Sequence, residues 1–405
     1  MTLKTRRSII ALFPAALAFA SCNSGAVGDS APSATASNGT TASAPVAGTR
    51  VTLGADAPFT AVSLGEFDEP WALALEPGSG RIVVTERPGT ARIFDPATGE
   101  LRSITGLPQV AYAGQGGLGD FAFAPDYATS GKVYLSWAKA AQGNTKRAVV
   151  GSGELRCDDG GECRIAGLRE IWEQSVPIDG EGHYSHRLAF SPDGRLLFVS
   201  SGERQQKTPA QDLSNNLGSI VRLNLDGTPA DGNPFARRGA PSDQIWSYGH
   251  RNVLGLAFDP SGNLWELEHG PAGGDELNLV RKGANYGWPV RSNGDNYDGS
   301  PIPDHSPDDG FAHPAISWNP VIAPGGMIFY TGDMFPDWDG QALIANLKTT
   351  SISRVSVDAG ANSAREVARY DFPERLRDIL EGADGAIWVV EDGENGRLIR
   401  LTPRR

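Results

Sequence analysis

The chain has 405 residues, with 48 acidic against 36 basic side chains, 50 Gly, 28 Pro and 3 Cys. A net charge of −12 speaks against a nucleic-acid partner, which needs a basic stripe, and three cysteines are too few for a disulfide scaffold or a structural zinc cluster at this length. Gly and Pro together make up about a fifth of the chain without a triplet period, which favours many tight turns over a helical bundle.

Lys4, Arg6 and Arg7 precede an apolar stretch from Ile9 to Ala20, interrupted by Pro14, and small residues lead into Cys22. The pattern predicts a secretory signal over residues 1–22, too short for a stable membrane span. Residues 18–22, AFASC, resemble a bacterial lipobox, with Phe19 where Leu is usual, so Cys22 is the expected lipidation site. A cleaved signal with an incidental cysteine is the other reading. Either places the chain in the periplasm or cell envelope, with lipidation anchoring it to a membrane. Losing the three basic residues of the leader, and no acidic one, leaves 33 basic against 48 acidic side chains, a net −15. Residues 23–50 are Ala, Ser, Gly, Thr and Pro with almost no large apolar side chain, and read as a flexible tether.

From residue 51 to 405 one theme recurs: an apolar strand, a Pro/Asp/Gly turn, and a second β-rich strand. Copies start at Leu73, Phe121, Leu188, Leu256, Met327 and Ile379, the Met327 copy being degenerate. Each predicts a hairpin, with Gly supplying positive φ in the turn. Six copies at roughly 59 residues each allow a four-stranded antiparallel sheet per copy. The expectation is an all-β, six-bladed β-propeller. A two-sheet sandwich is disfavoured, because it has no reason to repeat one hairpin six times. Cys157 and Cys163 bracket the polar loop DDGGE and are expected to pair after export. Two free thiols are the alternative.

Four segments are more specific than turns. They are GQGGLGDFAFAPD with Gln115, GEGHYSHRLAFSPDG with His183 and His186, a long run holding GHRN, EHGPAGGDELN and NYGWP, and PERLRDILEGADG with Arg375 and Arg377. In this order they resemble the soluble PQQ-dependent sugar dehydrogenases, in particular the bacterial aldose sugar dehydrogenases. The resemblance runs from Phe59 to Leu401.

The resemblance implies that His183 is the catalytic base and Gln115 a substrate contact. Chemically, a neutral imidazole suits removal of a hydroxyl proton, and an amide suits sugar hydroxyls. His186 stands where the family has a small residue, often Gly, and is read as pocket wall or packing. PQQ bears three carboxylates, so the implied cofactor set is cationic or amide-bearing: Arg251, Asn252, Lys348, Arg375 and Arg377. Arg375 and Arg377 alternate across Leu376 and would share one strand face, with Asp378 positioned to orient them. The carbonyls of Gly270 and Pro271 are implied ligands of a catalytic Ca²⁺. Glu276 and Tyr286, the latter through its carbonyl, are implied at a second, structural Ca²⁺. Tyr286, Trp288 and Trp318 are aromatic and suit either pocket wall or packing.

The implied activity is oxidation of an aldose at C1 to a lactone, with electrons leaving to an external acceptor. A Ca²⁺-dependent lactonase on a six-bladed propeller is an alternative that the Arg pair and GHRN disfavour. A non-catalytic propeller binding partners at the cell surface is a third reading, disfavoured by intact Gln115, His183 and Arg251. No C-x-x-C-H haem motif occurs in the sequence.

Overall fold

Alternation of apolar and polar residues, cut by Gly and Pro turns, yields an all-β chain. A computed structural model describes residues 47–158 and 161–404. The signal segment, Cys22 and nearly all of the tether lie outside the described residues. Described structure starts with an edge strand, Thr49–Val51, which begins within the last two residues of the expected tether and pairs with Ala61–Ser63.

Six sets of four antiparallel strands follow. The first set is Pro70–Leu75, Ile82–Glu86, Thr90–Phe94 and Leu101–Thr105. The second is Leu118–Phe123, Lys132–Ala140, Lys146–Cys157 and Cys163–Glu173. A short parallel pairing of Ile104 with Cys163 and Thr105 with Arg164 joins these two sets into one eight-stranded sheet. The third is Ser185–Phe190, Leu196–Ser201, Ser219–Asn224 and Ile245–Tyr248. The fourth is Val253–Phe258, Leu264–Glu268, Asp275–Leu279 and Ile316–Trp318. The fifth is Pro324–Phe329, Ala342–Asn346, Ser351–Asp358 and Ser363–Asp371. The sixth combines Leu376–Glu381, Ile387–Glu391 and Gly396–Pro403 with Phe59–Phe67 from the other end of the chain. The first two strands of each set are the hairpins expected from Leu73, Phe121, Leu188, Leu256, Met327 and Ile379.

The first strands of the sets pack side by side in a closed ring. Pro70–Leu75 meets Leu118–Phe123, and the contacts run on through Ser185–Phe190, Val253–Phe258, Pro324–Phe329 and Leu376–Glu381 back to Pro70–Leu75. Second strands are covered on both faces. Ile82–Glu86, Leu264–Glu268, Ala342–Asn346 and Ile387–Glu391 are buried at every position. The core fills the gaps between adjacent sheets; Phe67, Leu73, Val84, Trp388 and Leu398, for example, pack between the sixth and the first. Each such side chain contributes about 1.5–3 kcal/mol. Polar residues in these strands, among them Glu266 and Glu268, need partners on site.

Cys157 and Cys163 are disulfide-bonded, closing the tip of the hairpin they flank. Among the described residues no helix is long and apolar enough to cross a membrane.

Candidate functional site

The starts of the inner strands converge on a cavity of about 180 Å³. Its lining includes Trp71, Gln115, His186, Asn252, His269, Arg375 and Arg377. These residues come from five of the six strand sets or the loops that flank them.

The segment before Ser185–Phe190 carries unusual backbone. His183, Ser185 and His186 have φ of 48°, 56° and 58°. None is glycine, and such strain persists only where the surroundings hold it. Arg204 supplies much of that hold. It is fully buried and donates from Nε to the Gly182 carbonyl at 2.9 Å and from Nη2 to the Gly180 carbonyl at 2.7 Å. Its guanidinium lies 3.6 Å from the ring centre of Tyr184. Gln115 completes the bracing: its Oε1 accepts the His183 backbone N–H at 2.7 Å.

His183 Nδ1 lies 2.5 Å from Oε1 of Glu203, whose other oxygen accepts the Lys207 backbone N–H. This leaves Nε2 as the free nitrogen. Burial pushes the imidazole below its ordinary pKa, Glu203 opposes this, and the charge of Arg251 adds to the lowering. The net result is a neutral imidazole near pH 7 with its tautomer set by a carboxylate. Sequence reading missed Glu203 and Arg204, which sit in a loop with no motif of their own.

His186 is a wall. Its ring stacks on Trp71, centroids 5.0 Å apart, and Nδ1 hydrogen-bonds to Ser136 Oγ at 2.8 Å. Burial, reinforced by the charge of Arg187, pushes it down to about 3, so it is neutral. Trp71 and Tyr184, both absent from the sequence-based set, are the aromatic residues that line the cavity. Tyr286 and Trp318 do not line it. Tyr286 stacks on His250 at 4.5 Å, and Trp318 Nε1 donates to Glu366 at 2.9 Å.

The cationic set is partly assembled. Arg377 donates from Nε and Nη2 to Asp392 Oδ1 at 2.8 and 2.6 Å, and Arg375 Nε donates to Asp392 Oδ2 at 2.9 Å. Burial raises Asp392, but the two guanidinium groups outweigh it and hold the carboxyl below its ordinary pKa. The expectation that Asp378 orients this pair is corrected. Asp378 points the other way, bonding Arg187 Nη2 at 3.1 Å and the Leu73 N–H at 2.8 Å. The pairing register shifts between Leu376 and Asp378, and Asp378 takes its partners from the side of Arg187 rather than of Arg377.

Arg251 reaches the His269 carbonyl from Nη1 and the Tyr297 hydroxyl from Nη2, each at 3.1 Å. Its Nε is buried with no partner. Asn252 Oδ1 accepts from Ser185 Oγ at 3.2 Å. Lys348 is exposed and does not line the cavity, although its neighbour Leu347 does.

Gly270 and Pro271 are buried in a loop folded tightly on itself. A Cβ at Gly270 would overlap the carbonyl oxygens of Gly273 and Gly274, and its N–H donates to Asp275 Oδ1 at 2.9 Å. Such carbonyl-rich turns suit a hard cation. Glu276 belongs to a separate buried cluster with Glu266, Glu268 and His250. Burial and the charge of Glu268 push Glu276 well above its ordinary pKa. Burial lowers His250, but the carboxylates of Glu266 and Glu268 outweigh it and push the ring up to about 9. Glu266 Oε2 and Asn278 Oδ1 have no partner. Three clustered carboxyl groups, with one carboxylate oxygen and one amide oxygen unpartnered, are the chemistry of a cation site.

Aldose sugar dehydrogenase YliI of Escherichia coli is 36% identical over 342 residues, covering 84% of this chain and 91% of that protein. The crystal structure of the soluble aldose sugar dehydrogenase from Escherichia coli in the apo-form superposes with a TM-score of 0.79 at 35% identity, covering 85% of this chain and all of that one (100%). The PQQ-bound form of aldose sugar dehydrogenase from Streptomyces coelicolor gives a TM-score of 0.69 at 27% identity, covering 87% of this chain and 100% of that one. Residues 67–400 match the Glucose / Sorbosone dehydrogenase family, and the chain belongs to it.

Proposed function

We propose that the chain is a PQQ- and Ca²⁺-dependent aldose dehydrogenase, exported and anchored through Cys22, on a six-bladed β-propeller. Each set of four strands is one blade, and the cavity is the mouth of the central channel. The observation that carries the reading is the His183–Glu203 pair set beside a cavity lined by Arg375, Arg377 and Asn252.

PQQ supplies a two-electron acceptor and Ca²⁺ a Lewis acid that polarises its carbonyl. Arg375, Arg377, Asn252 and Arg251 hold the cofactor's carboxylates, with Lys348 at the rim. The carbonyls of Gly270 and Pro271 hold the catalytic Ca²⁺. Glu276 and the Tyr286 carbonyl hold the structural one. Gln115 positions the sugar hydroxyls. His183 Nε2 takes the C1 hydroxyl proton, and Glu203 holds Nδ1–H so that Nε2 keeps its lone pair. The aldose, having lost a hydride from C1 and that proton, becomes the lactone. Electrons pass on to an external acceptor.

The test is reconstitution. Purified chain is given PQQ and Ca²⁺, and dye reduction is followed with glucose and other aldoses. Aldose-dependent reduction is expected. No reduction with any aldose, together with no cofactor absorption retained by the protein, overturns the reading.

A further inference from the structure

Between Asp275–Leu279 and Ile316–Trp318 the chain makes a long excursion from the fourth sheet. This segment carries Tyr297, the hydroxyl partner of Arg251, and Asn296, whose Oδ1 accepts from Lys207 Nζ at 2.8 Å. It also carries a cluster that the dehydrogenase reading does not use.

His305, Asp309 and His313 converge there. Asp309 Oδ2 is 3.2 Å from His305 Nδ1, and Oδ1 is 3.1 Å from His313 Nε2. One ligand atom from each of the three residues lies within 4.8 Å of the others. The Asp309 carboxylate is held from behind by the backbone N–H groups of Ser306 at 3.1 Å and Phe311 at 3.0 Å. Hydrogen-bonded carboxylates of this kind are what orient a metal ligand. Asp309 accepts from Nδ1–H of His305, which leaves Nε2 unprotonated, buried and without a partner. The side chains of His305 and Asp309 are 5% and 0% exposed, whereas His313 is 33% exposed and offers a route from solvent.

Two imidazoles and one carboxylate are a borderline-soft donor set. Hard Ca²⁺ prefers all-oxygen sites, whereas Zn²⁺ takes this set readily, with water at the fourth position. The competing cation is Arg291, whose Nε stands 3.5 Å from Asp309 Oδ2 and has no hydrogen-bond partner. Its side chain is 26% exposed, and Nη1 donates to the Val290 carbonyl at 3.1 Å.

We propose that His305, Asp309 and His313 bind a divalent transition metal of the Zn²⁺ type, which staples the excursion that covers Arg251. The proposal stands apart from the dehydrogenase reading.

The full chain, kept in excess Ca²⁺ so that hard-cation sites are filled, is titrated with Zn²⁺ by calorimetry. One equivalent should bind, and the His305→Gln/His313→Gln variant should bind roughly a hundredfold more weakly. Arg291→Ala should bind as well as the parent or better. Co²⁺ titrated into the unmodified chain should give the visible absorption of a low-coordinate nitrogen–oxygen site, a readout that needs no variant to fold. Unchanged Zn²⁺ affinity in the double variant overturns the proposal. So does a parent chain that binds no Zn²⁺, or a Co²⁺ spectrum that matches the aqueous ion.

Discussion

Nδ1 of His183 and Oε1 of Glu203 lie 2.5 Å apart, with the two side chains 8% and 1% exposed. A carboxylate this close fixes the imidazole tautomer and stabilises the imidazolium that forms when the ring takes a proton. His183→Ala should lower kcat by roughly 10²–10⁴ while PQQ still binds. Glu203→Gln should lower kcat with little change in KM. It should also move the acid limb of the pH–rate profile downward, because the group that raises the His183 pKa is gone. An acid limb that moves upward, or an unchanged kcat, would contradict the pairing.

Arg377 and Arg375 share Asp392 but differ in exposure, at 13% and 53% of their side chains. A charge-assisted hydrogen bond is worth about 1.5–3 kcal/mol when desolvated and much less in water. Arg377→Ala should therefore weaken PQQ binding by roughly tenfold to a hundredfold, and Arg375→Ala by less. Fluorescence titration with PQQ measures both, and the reverse order would reassign the pair.

His186 occupies space that only glycine concedes. A Cβ at Gly119 would overlap its ring. Gly119→Ala should cost about 1–3 kcal/mol by overpacking, read from urea unfolding. The cost should shrink when His186 is also replaced by Ala, since the two changes share one volume.

His186 also sets a pH dependence. Its pKa falls from 6.5 unfolded to about 3 folded. Above pH 6.5 both states are neutral and nothing is contributed. As pH falls from 6.5 towards 3 the unfolded chain binds the proton first, so stability is lost across that window. Relative to His186→Gln, the parent should lose stability progressively over this range. Parallel stability–pH curves would mean that the ring is solvated.

Glu276 is held against Glu268 and Glu266 in a buried site. Without Ca²⁺, Glu276→Gln should raise the melting temperature by relieving like-charge repulsion. With Ca²⁺, the parent should gain stability and the variant should gain little. A variant that responds to Ca²⁺ as strongly as the parent would remove Glu276 from the cation site.

The repeated hairpins were legible because period-two alternation and Pro/Asp/Gly turns are local signals. Gln115, Asn252, Arg375 and Arg377, which line the cavity, stand in ordered motifs of the sequence, as does His183, whose backbone N–H donates to Gln115. Glu203, Arg204 and Asp392 stand in no such motif. Each meets residues on the opposite loop of a hairpin, Glu203 with His183, Arg204 with Gly180 and Gly182, Asp392 with Arg375 and Arg377, and an acidic or basic residue after a strand has no local mark of a buried partner. Trp71 was passed over for a related reason: it looks like core until the channel places it beside His186. Asp378 was assigned to the wrong partner because the register shifts at Arg377, and no local pattern marks that shift. Lys348 shows the opposite limit. Its neighbour Leu347 faces the cavity, and one residue of register decides which side chain does.

The sixth sheet is built from both chain ends, with Phe59–Phe67 laid against Gly396–Pro403. A ring clasped in this way closes only after Gly396–Pro403 has left the ribosome, when every other strand of the six sets has already been made. Until then Phe59–Phe67 lacks the strand that ties it into the sixth set, and the two ends of the ring are not clasped. The clasp thus makes maturation all-or-none: a chain shortened by a few residues at its C-terminal end would lose its cofactor pocket, although no pocket residue had been removed.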